Sequence, residues 1–142
     1  MFEKHTTLEN RLEQYRAVRK SNLSLDAVLQ EFASINPQSR YIDYWTPKTW
    51  PNAFQIIEFG YFCTTGISIL MYQTLGHLNY LKPEGTTWKV ISNNINGNDG
   101  LVYLDNNKVY NFEIGKISDW DFVKENSTIF STHRLKKDQF TY

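Results

Sequence analysis

Apolar positions in the first third of the chain recur at helical spacing. Leu8, Leu12, Tyr15 and Val18 lie four, three and three residues apart, which lines one face of a helix. Glu9, Arg11, Glu13, Arg16 and Arg19 occupy the remaining positions, and Glu13 precedes Arg16 by three residues, at pairing distance. Ser21-Asn22 breaks this helix. Ser24 then reads as an N-cap, with Leu23 and Val28 in position for a hydrophobic staple. Leu25, Val28, Leu29, Phe32 and Ile35 form the apolar stripe of a second helix. It stops before Pro37, because a residue preceding proline avoids the helical region. The two segments make an N-terminal helical hairpin.

The pattern changes over residues 36–53, where Pro37, Pro47 and Pro51 alternate with Tyr41, Tyr44, Trp45 and Trp50. Prolines at this density forbid a continuous helix or central strand. The plain reading is a lid over apolar surface. The functional reading is a binding wall built from Trp45 or Trp50, since tryptophan and tyrosine are favoured at contact sites.

Phe54 to Phe59 is compatible with a short strand or a first helical turn. Ile67, Leu70, Met71, Thr74, Leu75 and Leu78 return to three-and-four spacing and predict a buried central helix over Gly66 to Leu78.

The last third reads as β. Thr86 to Ile91 is rich in β-branched and aromatic residues. Asn93 to Gly100 is a turn cluster with two hairpin-type pairs, Asn96-Gly97 and Asp99-Gly100. Strands follow over Leu101 to Leu104 and Lys108 to Ile114, around the turn Asp105-Asn106-Asn107. Val109, Asn111 and Glu113 alternate with Tyr110, Phe112 and Ile114, the pattern of a strand buried on one face. Asp119 to Asn126 predicts a helical turn, Ser127 to Thr132 a further strand, and Arg134 to Asp138 a charged closing segment. Helices first and an antiparallel β-meander last give the α+β class, in one domain spanning residues 1–142.

Composition narrows the function classes. Fifteen basic residues balance fifteen acidic ones, so no global charge draws the chain to nucleic acid or an anionic membrane. The charge-free run Phe59 to Leu81 is interrupted by Gly60, Thr64, Gly66, Gln73, His77 and Asn79, too polar for a bilayer core. The charged N-terminus, Met1 to Asn10, lacks the apolar core of a signal peptide, so a cytoplasmic location is expected. A single cysteine excludes an intramolecular disulfide and a thiolate zinc cluster.

Cys63 is the one candidate nucleophile, placed just before a helix whose dipole would lower its pKa. His77 falls at the far end of that helix, whereas His133, near the last strand, is the candidate base. A helix-start cysteine with a strand histidine resembles the layout of papain-like and NlpC-type amidases, although the Phe62-Cys63-Thr64-Thr65-Gly66 surroundings depart from theirs. The competing reading is a small buried hydrophobe. His5, His77 and His133 share no metal-ligand spacing. Asp99, Asp105 and Glu113 do not follow calcium-loop spacing, and turn chemistry accounts for them. No phosphate-binding glycine motif occurs. Arg134, Lys136 and Lys137, beside Asp138, form a small basic cluster that reads as a solvated terminus. No cofactor is expected.

Charge is unevenly spread. Asp99, Asp105, Glu113, Asp119, Asp121 and Glu125 face only three lysines between residues 99 and 125. Asp119-Trp120-Asp121-Phe122 interleaves acid with aromatic, a combination suited to a basic protein surface; an acidic turn at a sheet edge is the simpler reading.

The run Trp88-Lys-Val-Ile-Ser, then Gly97-Asn-Asp-Gly-Leu-Val-Tyr-Leu-Asp105, then Lys108-Val-Tyr-Asn-Phe112 resembles the central meander of the SUKH-type immunity domains. The resemblance spans residues 86–114. The glycine-pair segment that usually precedes this meander is missing, and the block from Phe59 to Leu78 has no counterpart. The chain also resembles, more loosely, the immunity proteins paired with polymorphic toxins. The resemblance implies a non-catalytic binding protein that occupies a cognate toxin, nucleases included, at or beside its active site. The expected contact residues are Asp99, Asp119, Trp120, Asp121 and Glu125, with Trp45 or Trp50. The rival readings are a small cysteine hydrolase using Cys63 and His133, and a structural or phage-encoded accessory protein.

Overall fold

The computed structural model describes residues 1–2, 6–36, 38, 42–82 and 86–134. His5, Pro37, Tyr41 and the segment beyond Arg134, including Lys136 and Lys137, lie outside the described residues.

Side-chain caps set the helix starts. Helix α1 (Leu8–Arg19) begins where the Thr7 hydroxyl accepts the Asn10 N–H, and α2 (Leu25–Ala33) where Ser24 accepts from Ala27. The ambiguous Phe54 segment is helical: α3 (Ala53–Phe59) opens on a capping box in which Asn52 and Gln55 satisfy each other's backbone N–H at 2.9 Å. Gly60 closes it in the left-handed region, at φ 71°. Helix α4 (Thr64–His77) follows, with ten of its fourteen residues buried. That is the central helix expected from the apolar spacing.

The remaining elements are β1 (Thr87–Asn93), β2 (Asp99–Asp105), β3 (Lys108–Tyr110), β4 (Ile117–Asp119), α5 (Trp120–Glu125) and β5 (Ser127–His133). All strand pairs are antiparallel, in the order β4-β3-β2-β1-β5. The class is α+β. The first four strands form the meander, and α5 then carries the chain across the sheet to lay β5 beside β1.

Two apolar layers flank the sheet. Trp88 and Val90 face Tyr103 and Leu101 across the β1–β2 register, and with Tyr110 they pack under α4. The Tyr72 ring of α4 lies 4.6 Å from Trp88 and 5.5 Å from Tyr103. Trp50 approaches Trp88 to 5.2 Å, so the proline-rich connection does act as a lid at that residue. Ser68, buried within α4, donates to Leu101 O at 3.1 Å, and Asn111 donates to both Ser68 and Leu101 O. The opposite face carries a smaller cluster of Ile91, Val102, Val109, Phe112 and Val123, closed by α5.

Three sequence expectations are corrected. The strand expected over Lys108 to Ile114 ends at Tyr110, because Asn111 adopts φ 73° and turns the chain toward β4. Val109 and Tyr110 are both buried, since α5 covers the face that alternation had assigned to solvent. Asp99-Gly100 is no turn pair: both residues pair within β2, and the turn is made by residues 94–97 with Gly97 at φ 74°. Among the described residues, no helix is long and apolar enough to cross a membrane.

Candidate functional site

Cys63 is buried as the N-cap of α4, where Sγ accepts the Gly66 N–H at 3.3 Å. His133 pairs in register with Trp88 and lies edge-on to Trp50 at 6.2 Å. Trp88 packs against Tyr72, nine residues along α4 from Cys63, a rise of about 13 Å. The fold does not bring Cys63 and His133 together. His77, in the last turn of α4, sits 3.2 Å from the Arg19 guanidinium. Burial and then Arg19 hold its pKa below the ordinary imidazole value. Among the described residues, no group of three or more His, Cys, Asp or Glu is placed to hold a metal ion.

The acidic-aromatic segment forms one continuous feature on the far face of the sheet. Asp119 ends β4, and the Trp120 N–H donates to Asn107 O at 3.1 Å, tying the start of α5 to the β2–β3 turn. Val123 is fully buried and pins α5 to the sheet. Its other end is fastened by the Asn94 N–H, which donates to Asn126 O at 2.8 Å. The Asp99 hairpin and Glu125 are therefore neighbours at one end of α5, while Asp119 and Lys108 lie at the other.

Trp120 is half-buried, with Lys89 Nζ 5.2 Å and Lys124 Nζ 5.5 Å from its ring centroid. These are cation–π contacts, and they turn the indole into a platform shared by two local ammonium groups. Burial, with a smaller contribution from Arg134, lowers the Lys89 pKa. Phe122 instead projects outward, 46% exposed, with its ring edge-on to Phe112 at 6.0 Å. A groove of about 560 Å³ runs between α5 and the β2–β3 turn, bounded by Asn107, Lys108, Trp120 and Glu125.

Local ion pairs temper the acidity. Lys108 bonds Asp119 at 2.5 Å, Lys124 bonds Asp121 at 3.2 Å, and Lys116 bonds Glu113 at 3.2 Å. All three lysines of this stretch are thus engaged with three of its six carboxylates. Among the described residues, Asp99, Asp105 and Glu125 have no ion-pair partner; Asp99 and Glu125 stand at one end of α5 and Asp105, at the β2–β3 turn, at the other.

The other expected contacts divide. Trp50 is 5% exposed and donates its indole N–H to Asp43 O at 2.7 Å, so it serves the core. Trp45 is 46% exposed, but it belongs to the α4 side of the sheet and neighbours Phe130 of β5 at 6.2 Å. The sequence reading named Phe122 in the acidic-aromatic run without counting it among the expected contacts, and it did not name Phe130. The available signal for Phe122 was its place between Asp121 and Glu125 on a short amphipathic turn.

The chain matches no protein-family model and no curated protein.

Proposed function

We propose that this chain is a cytoplasmic immunity-type protein that neutralises a cognate bacterial toxin by direct binding, without catalysis or a cofactor of its own. One observation carries the reading. Phe122 stands nearly half exposed at the middle of α5, between the exposed carboxylates Asp121 and Glu125 and beside an open groove. An exposed aromatic within a carboxylate rim suits a partner whose surface pairs basic groups with an apolar recess. The active-site cleft of a nuclease has that chemistry, because it must hold phosphate. In this arrangement Phe122 is the anchor and Asp99 and Glu125 steer, while Trp120 supports the platform from beneath.

The test starts from the gene neighbourhood: a secreted-toxin gene is expected alongside, and its product is the binding partner to use. Co-expression is expected to restore growth, and titration of the purified pair to give a one-to-one complex. Phe122→Ala is expected to weaken binding by about thirtyfold, equivalent to about 2 kcal/mol. Glu125→Lys is expected mainly to slow association. Full protection and unchanged affinity with both variants would remove this face, and absence of any complex would remove the function.

A further inference from the structure

The sheet opens like a fork beside β2. From Tyr103 to Asp105 this strand is paired on both sides, by β1 or its flank and by β3. From Asp99 to Val102 it keeps only β1, because Asn111, at φ 73°, turns the chain away after Tyr110. The departing segment is held at a distance. Gln30 of α2 donates to Gly115 O at 3.1 Å, and Gly115, at φ 86°, lies so near Ala33 that an added Cβ would stand 2.8 Å from the alanine Cβ. Between the two prongs is a cavity of about 370 Å³, within the usual range of ligand pockets.

Ladder alternation fixes what β2 offers to this slot. Asn106 and Asn107, both at positive φ, form a two-residue hairpin turn, which makes Asp105 and Lys108 a hydrogen-bonded pair. Tyr103, Leu101 and Asp99 therefore direct their backbone groups to the β3 side, while the residues between them bond β1. The Asn93 N–H, which donates to Asn98 O at 2.8 Å, continues that second set. Leu101 O is taken by the Ser68 and Asn111 side chains. Among the described residues, the Leu101 N–H and the Asp99 N–H and C=O find no partner on the β3 side. Gly100 leaves room beside them: an added Cβ would meet no atom within 4 Å, and Ile91, Val102 and Phe112 line the slot there. Unmade backbone bonds along a cavity are what an added strand completes.

We infer that this slot takes an extended basic segment of a protein partner, laid antiparallel along residues 99–101 as a short added strand. Charge selects this occupant. Asp99 and Glu113 line the slot, and no lysine, arginine or histidine does. Glu113 is engaged with the exposed Lys116, but Asp99 has no ion-pair partner among the described residues. A basic residue opposite Asp99 supplies one, as a cross-strand pair. Next to it, opposite Gly100, an apolar side chain meets Ile91, Val102 and Phe112. Opposite Leu101, where Ser68 and Asn111 crowd the strand, only a small residue fits. The Asn111 Oδ1, buried and without a partner among the described residues, adds an acceptor at that end. The segment thus reads small, apolar, basic from its N-terminus. This deepens the toxin reading and rests on it only for the source of the segment.

The experiment is a titration of the full chain, followed by amide NMR, with the blocked peptide acetyl-Thr-Ala-Val-Arg-Thr-amide. The Asp99 and Leu101 amides are expected to shift and to exchange more slowly, with a dissociation constant of about 1 mM or tighter. Replacing the peptide's arginine by glutamate, or methylating the arginine backbone nitrogen, is expected to abolish binding. Asp99→Asn should weaken it about threefold. Gly100→Trp, whose ring fills the apolar half of the slot, should weaken it at least tenfold with an unchanged circular dichroism spectrum; Gly100→Leu supplies the same reading if that variant fails to fold. Unmoved Asp99 and Leu101 amides would overturn the inference. Equal binding of the glutamate or methylated peptide would do so too, as would free arginine producing the same shifts at the same concentration. The titration needs no toxin, so its failure removes the slot alone, whereas an unchanged toxin complex with Phe122→Ala and Glu125→Lys removes the α5 face alone.

Discussion

Two glycines of α4, ten residues apart, are expected to respond to the same substitution with opposite signs. Alanine favours a helix over glycine by about 1 kcal/mol when nothing else changes. At Gly76 nothing else does change: an added Cβ meets no atom within 4 Å. Gly76→Ala should therefore stabilise the protein by about 1 kcal/mol and raise the melting temperature by about 3 °C. At Gly66 the same Cβ would lie 1.9 Å from Tyr61 O and 3.3 Å from Ile42 Cδ1, where ordinary contact begins at 3.4 Å. The obstacle is backbone. Tyr61 N donates to Ile56 O at 3.0 Å and Phe62 N to Gly60 O at 2.8 Å, so the carbonyl cannot withdraw without disturbing the α3–α4 turn. Overpacking against a fixed backbone costs about 3 kcal/mol or more, which outweighs the propensity gain and leaves a net loss of about 2 kcal/mol. The sites are about 15 Å apart along the helix, so the double variant should show the sum of the two effects. Urea denaturation followed by tryptophan fluorescence measures all three. Gly66→Ala at or above wild-type stability would refute the close approach of α4 to Tyr61.

Two further outcomes follow from buried groups. Tyr103 is fully buried, its hydroxyl has no partner among the described residues, and its pKa is pushed well above 10.0, first by burial and then by Tyr110 and Tyr72. Tyr103→Phe should therefore stabilise the fold by about 1 kcal/mol in urea denaturation; a loss of that size would mean that the hydroxyl is satisfied. A phenol whose folded pKa is raised keeps its stabilising effect below the unfolded value and loses it as pH climbs from there toward the folded one. Stability should thus decline above about pH 10, and less steeply in Tyr103→Phe, as alkaline melting curves would record. Cys63, 8% exposed and engaged with the Gly66 N–H, should react with a thiol reagent at neutral pH only as fast as the protein opens. Rapid labelling of the native state would refute that placement.

Local chemistry was legible where a side chain acts on its own neighbourhood. Ser24 caps α2 as its position before an apolar stripe implied, and the spacing of Ile67, Leu70, Met71, Thr74 and Leu75 announced α4. The helix of the Phe54 segment was also written locally, in Asn52, Gln55 and Gly60, but as caps and not as periodicity. The acidic-aromatic segment was found because interleaved Asp and Trp residues are visible in one dimension.

Tertiary structure decided what depends on distant partners. Val109 looked solvent-facing because alternation assumes one buried face, and only the crossing of α5 supplied a second. The six carboxylates between Asp99 and Glu125 looked like one acidic field, yet three of them are held by lysines, and Lys108 reaches Asp119 only through the β3–β4 pairing. Trp50 and Trp45 were equivalent in the sequence; packing against Trp88 buried the first and left the second beside Phe130. Strand order followed the same rule. A seven-residue segment such as Ser127–His133 specifies a strand, but its place beside β1, at the edge of the sheet among the described residues, arises from where α5 sets it down. Caps and spacing act within a few residues. Burial, ion pairing and edge exposure are properties of neighbours that the chain brings together only on folding.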